Sequence, residues 1–193
     1  MLPRSSTRGP HAPRDPEAEP AHGVLVVGYG NTLRSDDGVG PVVAACLAAD
    51  PRLRGADVRI EHQLTPELAA DVSGARLLVL VDAADDVPAG EVRVREVAAA
   101  GSPVEAGHRP PRRSEEAGVS FTHHLDPSSL LGLADQLWGS APRTVLVGVG
   151  PATLELGDRL SPEVRAAVPT AIEAAAAAVV DAGAGPPGES GEG

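Results

Sequence analysis

The chain's pattern predicts an α/β fold, a three-layer α/β/α sandwich with a mostly parallel, twisted sheet. Three observations carry that expectation. Val24 to Val27, Leu77 to Val81 and Val145 to Val147 are short continuous apolar runs, as in strands covered on both faces. Segments with helix-start signals alternate with these runs. Glu91 to Val97 alternates apolar and polar residues instead, and so reads as an edge strand with one wet face.

The elements follow in order. Residues 1–22 are rich in Pro, Arg and Glu without periodicity and are expected to form a disordered leader. The folded domain is expected over 23–182. Val24 to Gly28 is its first strand. Asp37 to Ala49 is a helix presenting Val39, Val42, Val43, Cys46 and Leu47 on one face. Asp57 to Gln63 is a second strand. At Thr65-Pro66 a helix begins, with Thr65 as N-cap and Pro66 at the first helical position. Arg76 to Asp82 is a third strand, apolar until it ends in an acid. After the edge strand comes a long polar loop over residues 98–118. Asp126-Pro127 opens a helix through Trp138, and Arg143 to Val149 is a further buried strand. Ser161-Pro162-Glu163 starts a last helix that runs through an alanine-rich stretch to about Asp181. Residues 183–193 are Gly-, Pro- and Glu-rich and are expected to be a disordered tail.

Composition narrows the function classes. The 193 residues suffice for one α/β domain. Aromatics are 2% of the chain, so Val, Leu and Ala must build the core. The formal net charge of −11 argues against nucleic acid or an anionic membrane as partner. Cys46, the one cysteine, has no internal disulfide partner and is expected to be a small buried hydrophobe. Neither a secretory signal nor a membrane-length apolar run is evident, so a cytoplasmic protein is expected.

Gly28-Tyr29-Gly30-Asn31-Thr32-Leu33 followed by Asp36-Asp37 is the most informative stretch. Gly28 and Gly30 permit a sharp turn at the end of a strand. A dinucleotide fingerprint needs a third glycine where Leu33 stands, and two acids occupy the place of the phosphate cradle. The chain has no lysine, which excludes a Walker loop. No nucleotide cofactor is therefore expected. Adjacent carboxylates repel unless a cation, a proton or a helix N-terminus compensates.

Asp36 and Asp37 follow the first strand, Asp82 ends the third, and His123 precedes a helix. In a parallel sheet all of these points can share the carboxyl edge. Two oxygens and an imidazole then make a plausible set for a divalent transition metal, with positions left open. Plainer roles stand beside this one. Asp36 reads as the helix N-cap, Asp126 as another helix cap, and Asp82 as an acid held by turn amides. Asp85 and Asp86 read as a solvated loop, as do Arg109, Arg112 and Arg113. His62 and Gln63 end the second strand and can line the same edge in a structural role. Only one of His123 and His124 can point inward.

These segments resemble, in order, those of the hydrogenase maturation proteases. That family consists of endopeptidases that trim the C-terminus of the nickel-iron hydrogenase large subunit. Gly28 to Leu33 with Asp36-Asp37-Gly38-Val39-Gly40 is similar to its opening motif. Gln63 to Leu68 resembles its second-strand exit, and Leu80-Val81-Asp82-Ala83 its acid-ended third strand. Thr122-His123-His124-Leu125 with Leu130 to Ala134 resembles its histidine segment. Val147 to Pro151 and Leu160 to Val164 resemble its closing motif. The likeness spans roughly residues 24–180.

The resemblance implies a phosphorylase/hydrolase-like sandwich and a peptidase whose metal-contacting and catalytic residues fall on Asp37, Asp82 and His123. His124 is the alternative to His123. It implies nickel supplied by the substrate, the hydrogenase large-subunit precursor as partner, and a monomer. A metal-dependent hydrolase of small amides and a non-catalytic hydrogenase assembly factor are the alternatives. Many members carry Glu where this chain has Gly150, and the loop at 101–117 has no clear counterpart.

Overall fold

The computed structural model describes residues 23–100 and 125–183. The expectations for residues 1–22, for the loop at 101–117 and for residues 184–193 lie outside the described residues. The described residues form one five-stranded sheet: β1 (Val24–Tyr29), β2 (Asp57–Glu61), β3 (Leu77–Ala83), β4 (Val92–Val97) and β5 (Arg143–Val149). Their spatial order is β2-β1-β3-β5-β4. β1 lies parallel to β2 and β3, and β3 parallel to β5. β4 closes the far edge antiparallel to β5, as the edge strand expected, but Val94 on its apolar row is half exposed, so solvent reaches both faces rather than one.

Strand side chains alternate between faces, and each face has its own core. On one side Val24, Val26, Val79 and Val81 pack under α1 (Val39–Ala48) and α4 (Pro162–Gly183). On the other, Leu25, Val27, Leu78 and Leu80 meet α2 (Leu68–Ser73) and α3 (Pro127–Trp138). The three-layer sandwich is thus present. Buried Ala167, Ala171 and Ala175 recur every four residues along α4, which keeps a low-relief face toward its neighbours.

The connection from β1 to β2 passes through α1 on one face, and that from β2 to β3 through α2 on the other. Adjacent strands β1 and β3 therefore flank a topological switch point, where α/β sheets open a crevice beyond their carboxyl ends. Close packing of α1 shapes this point. A Cβ on Gly28 would collide with the Gly40 carbonyl and Ala44, and one on Gly40 with the carbonyls of Tyr29 and Val81. Gly40 thus supplies the close helix–strand contact for which Leu33 is unsuited.

That contact also corrects two expectations. A 3-10 turn over Ser35–Gly38 precedes α1, so the helix starts at Val39 rather than Asp37. With Gly40, Ala44 and Leu47 turned to the sheet, Val42 and Cys46 face outward, and Cys46 is exposed. Thr65 and Pro66 form a backbone turn, and α2 begins only at Leu68 with no side-chain cap. β2 ends at Glu61, and as an edge strand it leaves Ile60 half exposed. Asp126 does cap α3, accepting from the amides of Ser128 (3.0 Å) and Ser129 (3.1 Å). Among the described residues, no helix is long and apolar enough to cross a membrane.

Candidate active site

A cleft of about 940 Å³ opens at the switch point, and both Asp37 and Asp82 line it. Its walls come from the ends of β1 and β3, the exits of β2 and β3, the start of α3, and Pro151 and Leu154 after β5. Gly28 pairs with Val81 in register, so the next residues, Tyr29 and Asp82, stand side by side. Both point toward the layer of α2 and α3, continuing the alternation of Val27 and Leu80.

Asp82 is partly buried, and its carboxyl is pushed up to about 7. Burial is the main cause, with repulsion from Asp37 and Asp85 adding to it. A hydrogen bond from the Tyr29 hydroxyl and another from the Ala83 amide work in the opposite direction. Burial and the neighbouring Asp82 charge raise the Tyr29 hydroxyl well above its ordinary range, so it remains a donor at neutral pH. Tyr29 carries no chemical signal of its own in the sequence; its place at the end of a strand neighbouring the one that ends in Asp82 is what gives it this role.

The acid pair divides its work. Asp37 Oδ2 accepts from the Asn31 amide at 3.0 Å, folding the β1 exit around the carboxylate at the cleft wall. Asp36 turns away and is fully buried. Its Oδ2 accepts from the amides of Ala152 (2.9 Å) and Thr153 (3.0 Å), and its Oδ1 from that of Ser161 (2.6 Å). Burial alone would raise its carboxyl. The amides of Ser161, Thr153 and Ala152 outweigh that effect and hold it below the usual range. Asp36 is therefore no helix N-cap. It is a tie between loops more than a hundred residues apart in sequence.

The same two loops share a backbone ladder. Ser35 donates to Gly157 (2.9 Å), and Gly157 donates to Leu33 (3.0 Å). Ser35 adopts φ +47°, a conformation disfavoured for a residue with a Cβ. The ladder and the Asp36 tie hold it there.

The cleft wall carries Asp37, Asp82, Asp85, Asp86 and Asp126 against Arg34 and Arg95, a balance that favours a cation. Asp85 and Asp86, read as solvated, are indeed exposed yet belong to this wall. His62 and Gln63 line it as well. His123 and His124 lie outside the described residues, as do Arg109, Arg112 and Arg113. Leu125 and Asp126, next to His124 in sequence, line the cleft. Among the described residues, no group of three or more His, Cys, Asp and Glu side chains is arranged to hold a metal ion. Gly150 has no room for a side chain: a Cβ would strike the carbonyls of Val87 and Pro88. Its amide donates to Glu91 (2.9 Å) and its carbonyl accepts from Gly90 (2.8 Å).

No family model and no curated protein matches this chain. Solved structures do. The chain is similar to the hydrogenase maturating endopeptidase HybD from E. coli, with 25% identity and a TM-score of 0.59 over 83% of this chain and 94% of that one. An endopeptidase from Escherichia coli solved in solution is 26% identical, with a TM-score of 0.57 and coverage of 83% and 94%. The NiFe hydrogenase maturation protease HybD from Thermococcus kodakarensis is 25% identical, with a TM-score of 0.51 and coverage of 79% and 96%.

Proposed function

We infer that this chain belongs to the hydrogenase maturation proteases, and that it is an endopeptidase removing the C-terminal extension of a nickel-iron hydrogenase large-subunit precursor. One observation carries the reading. Two carboxylates from separate elements, Asp37 of the 3-10 turn before α1 and Asp82 at the end of β3, converge on one acidic cleft at the switch point of a fold shared with such enzymes.

In this reading the nickel is part of the substrate and arrives bound to the precursor. Asp37, Asp82 and His123 would contact it through two oxygens and one nitrogen, leaving positions for the precursor's own ligands. Contact with a cation favours the charged form of Asp82 and releases its proton. Cutting then depends on metal loading, so that an empty precursor stays untrimmed. The enzyme would act as a cytoplasmic monomer. Its net charge of −11 disfavours nucleic acid and anionic membranes as partners.

Mixing the protein with nickel-loaded and nickel-free precursor and weighing the products tests this. A mass loss confined to the loaded precursor is expected. Binding without mass loss would identify an assembly factor instead. Hydrolysis of small amides without any precursor would identify a self-sufficient amidohydrolase.

A further inference from the structure

Two loops beside the cleft carry leucines that the fold itself leaves in solvent, and one of them, Leu154, lines the cleft. Leu33 is 65% exposed, Leu154 37% and Leu156 88%. Scattered exposed leucines are ordinary, but these three sit on two loops that are fastened together. Gly157 donates to the Leu33 carbonyl, Arg34 Nε donates to the Leu154 carbonyl at 3.2 Å, and Asp36 ties the loops from beneath. The leucines are therefore presented on a braced support. The two loops also adjoin the cleft, since Leu154 and Arg34, the neighbour of Leu33 in sequence, belong to its wall.

We propose that Leu33, Leu154 and Leu156 form a docking rim for an apolar stretch of the precursor next to the bond to be cut. This rests on the precursor-protease reading and extends it. The acidic cleft receives the cation, and the rim receives the chain that carries it. A surface continuous with a proteolytic cleft is covered when the protein substrate is seated, which gives these leucines their occupant.

The test is the double substitution Leu33→Ser with Leu156→Ser, assayed by steady-state trimming of nickel-loaded precursor and by sedimentation of the protease alone. Both side chains are exposed, so the melting temperature should not move. Burial of a leucine by the partner is worth about tenfold in affinity or more. KM is expected to rise at least tenfold with kcat within about twofold. An unsubstituted chain that trims, alongside a double variant with unchanged KM, overturns the rim and leaves the protease reading standing. A self-associating chain that the substitutions dissociate without changing KM also overturns it, assigning the leucines to a second copy of the chain. An unsubstituted chain that trims no precursor overturns the protease reading and the rim together.

Discussion

The Tyr29 hydroxyl donates a hydrogen bond to the Asp82 carboxylate at the point where β1 and β3 run out. This bond favours the charged carboxylate against the burial that penalises it. Tyr29→Phe keeps the ring and removes the donor. Asp82 should then titrate above its value of about 7, as followed by carbon-13 NMR of the labelled carboxyl. An unchanged titration would separate the two groups.

The raised Asp82 carboxyl has a consequence for stability with a definite sign. Its ordinary value is 3.8 and its folded value about 7, so the folded protein holds a proton that the unfolded chain loses between those limits. Its contribution to stability is complete below about pH 4 and is lost as the pH rises to about 7. Asp82→Asn should therefore stabilise the protein above pH 7 and have little effect at pH 4. The partial exposure of Asp82 limits the gain to about 1–3 kcal/mol. Urea melts at pH 4 and pH 8 measure it. Precursor trimming should depend on pH in the opposite sense, rising through neutrality as the carboxylate forms.

The adjacent acids should separate stability from activity. Asp36→Ala leaves three partly buried amides without their acceptor and should cost about 2–4 kcal/mol. Asp37→Ala removes one partly buried bond to Asn31 and should cost about 1 kcal/mol or less, while abolishing trimming. Equal losses of stability in urea melts would contradict this division.

Gly40→Ala drives a methyl group into the carbonyls of Tyr29 and Val81. Overpacking against backbone should cost about 2–3 kcal/mol by thermal or urea melt. It should also push α1 off the sheet enough to slow trimming. A neutral result would mean that helix and strand are farther apart than the structure has them.

The sheet was legible because its strands are written in the chain itself. Apolar runs announce β1, β3 and β5, and alternation announces β4. That Asp82 and Asp37 share the carboxyl edge of the sheet was legible because a single acid closes an otherwise apolar strand and like charges stand side by side after β1. Other features depend on contacts far away in sequence. Asp36 looks like an N-cap until the amides of Ala152, Thr153 and Ser161 arrive from beyond β5. Cys46 looks buried until the Gly40 contact fixes the rotation of α1. Tyr29 reads as filler between two glycines until β3 brings Asp82 beside it.

The most direct measurement is the mass of nickel-loaded precursor after incubation with the unsubstituted chain and with Asp37→Ala, Asp82→Ala and His123→Ala, each first shown to be folded. The unsubstituted chain should release the C-terminal extension, and each variant should leave the precursor at full length. Normal trimming by all three variants would contradict a cleft in which these side chains read the metal.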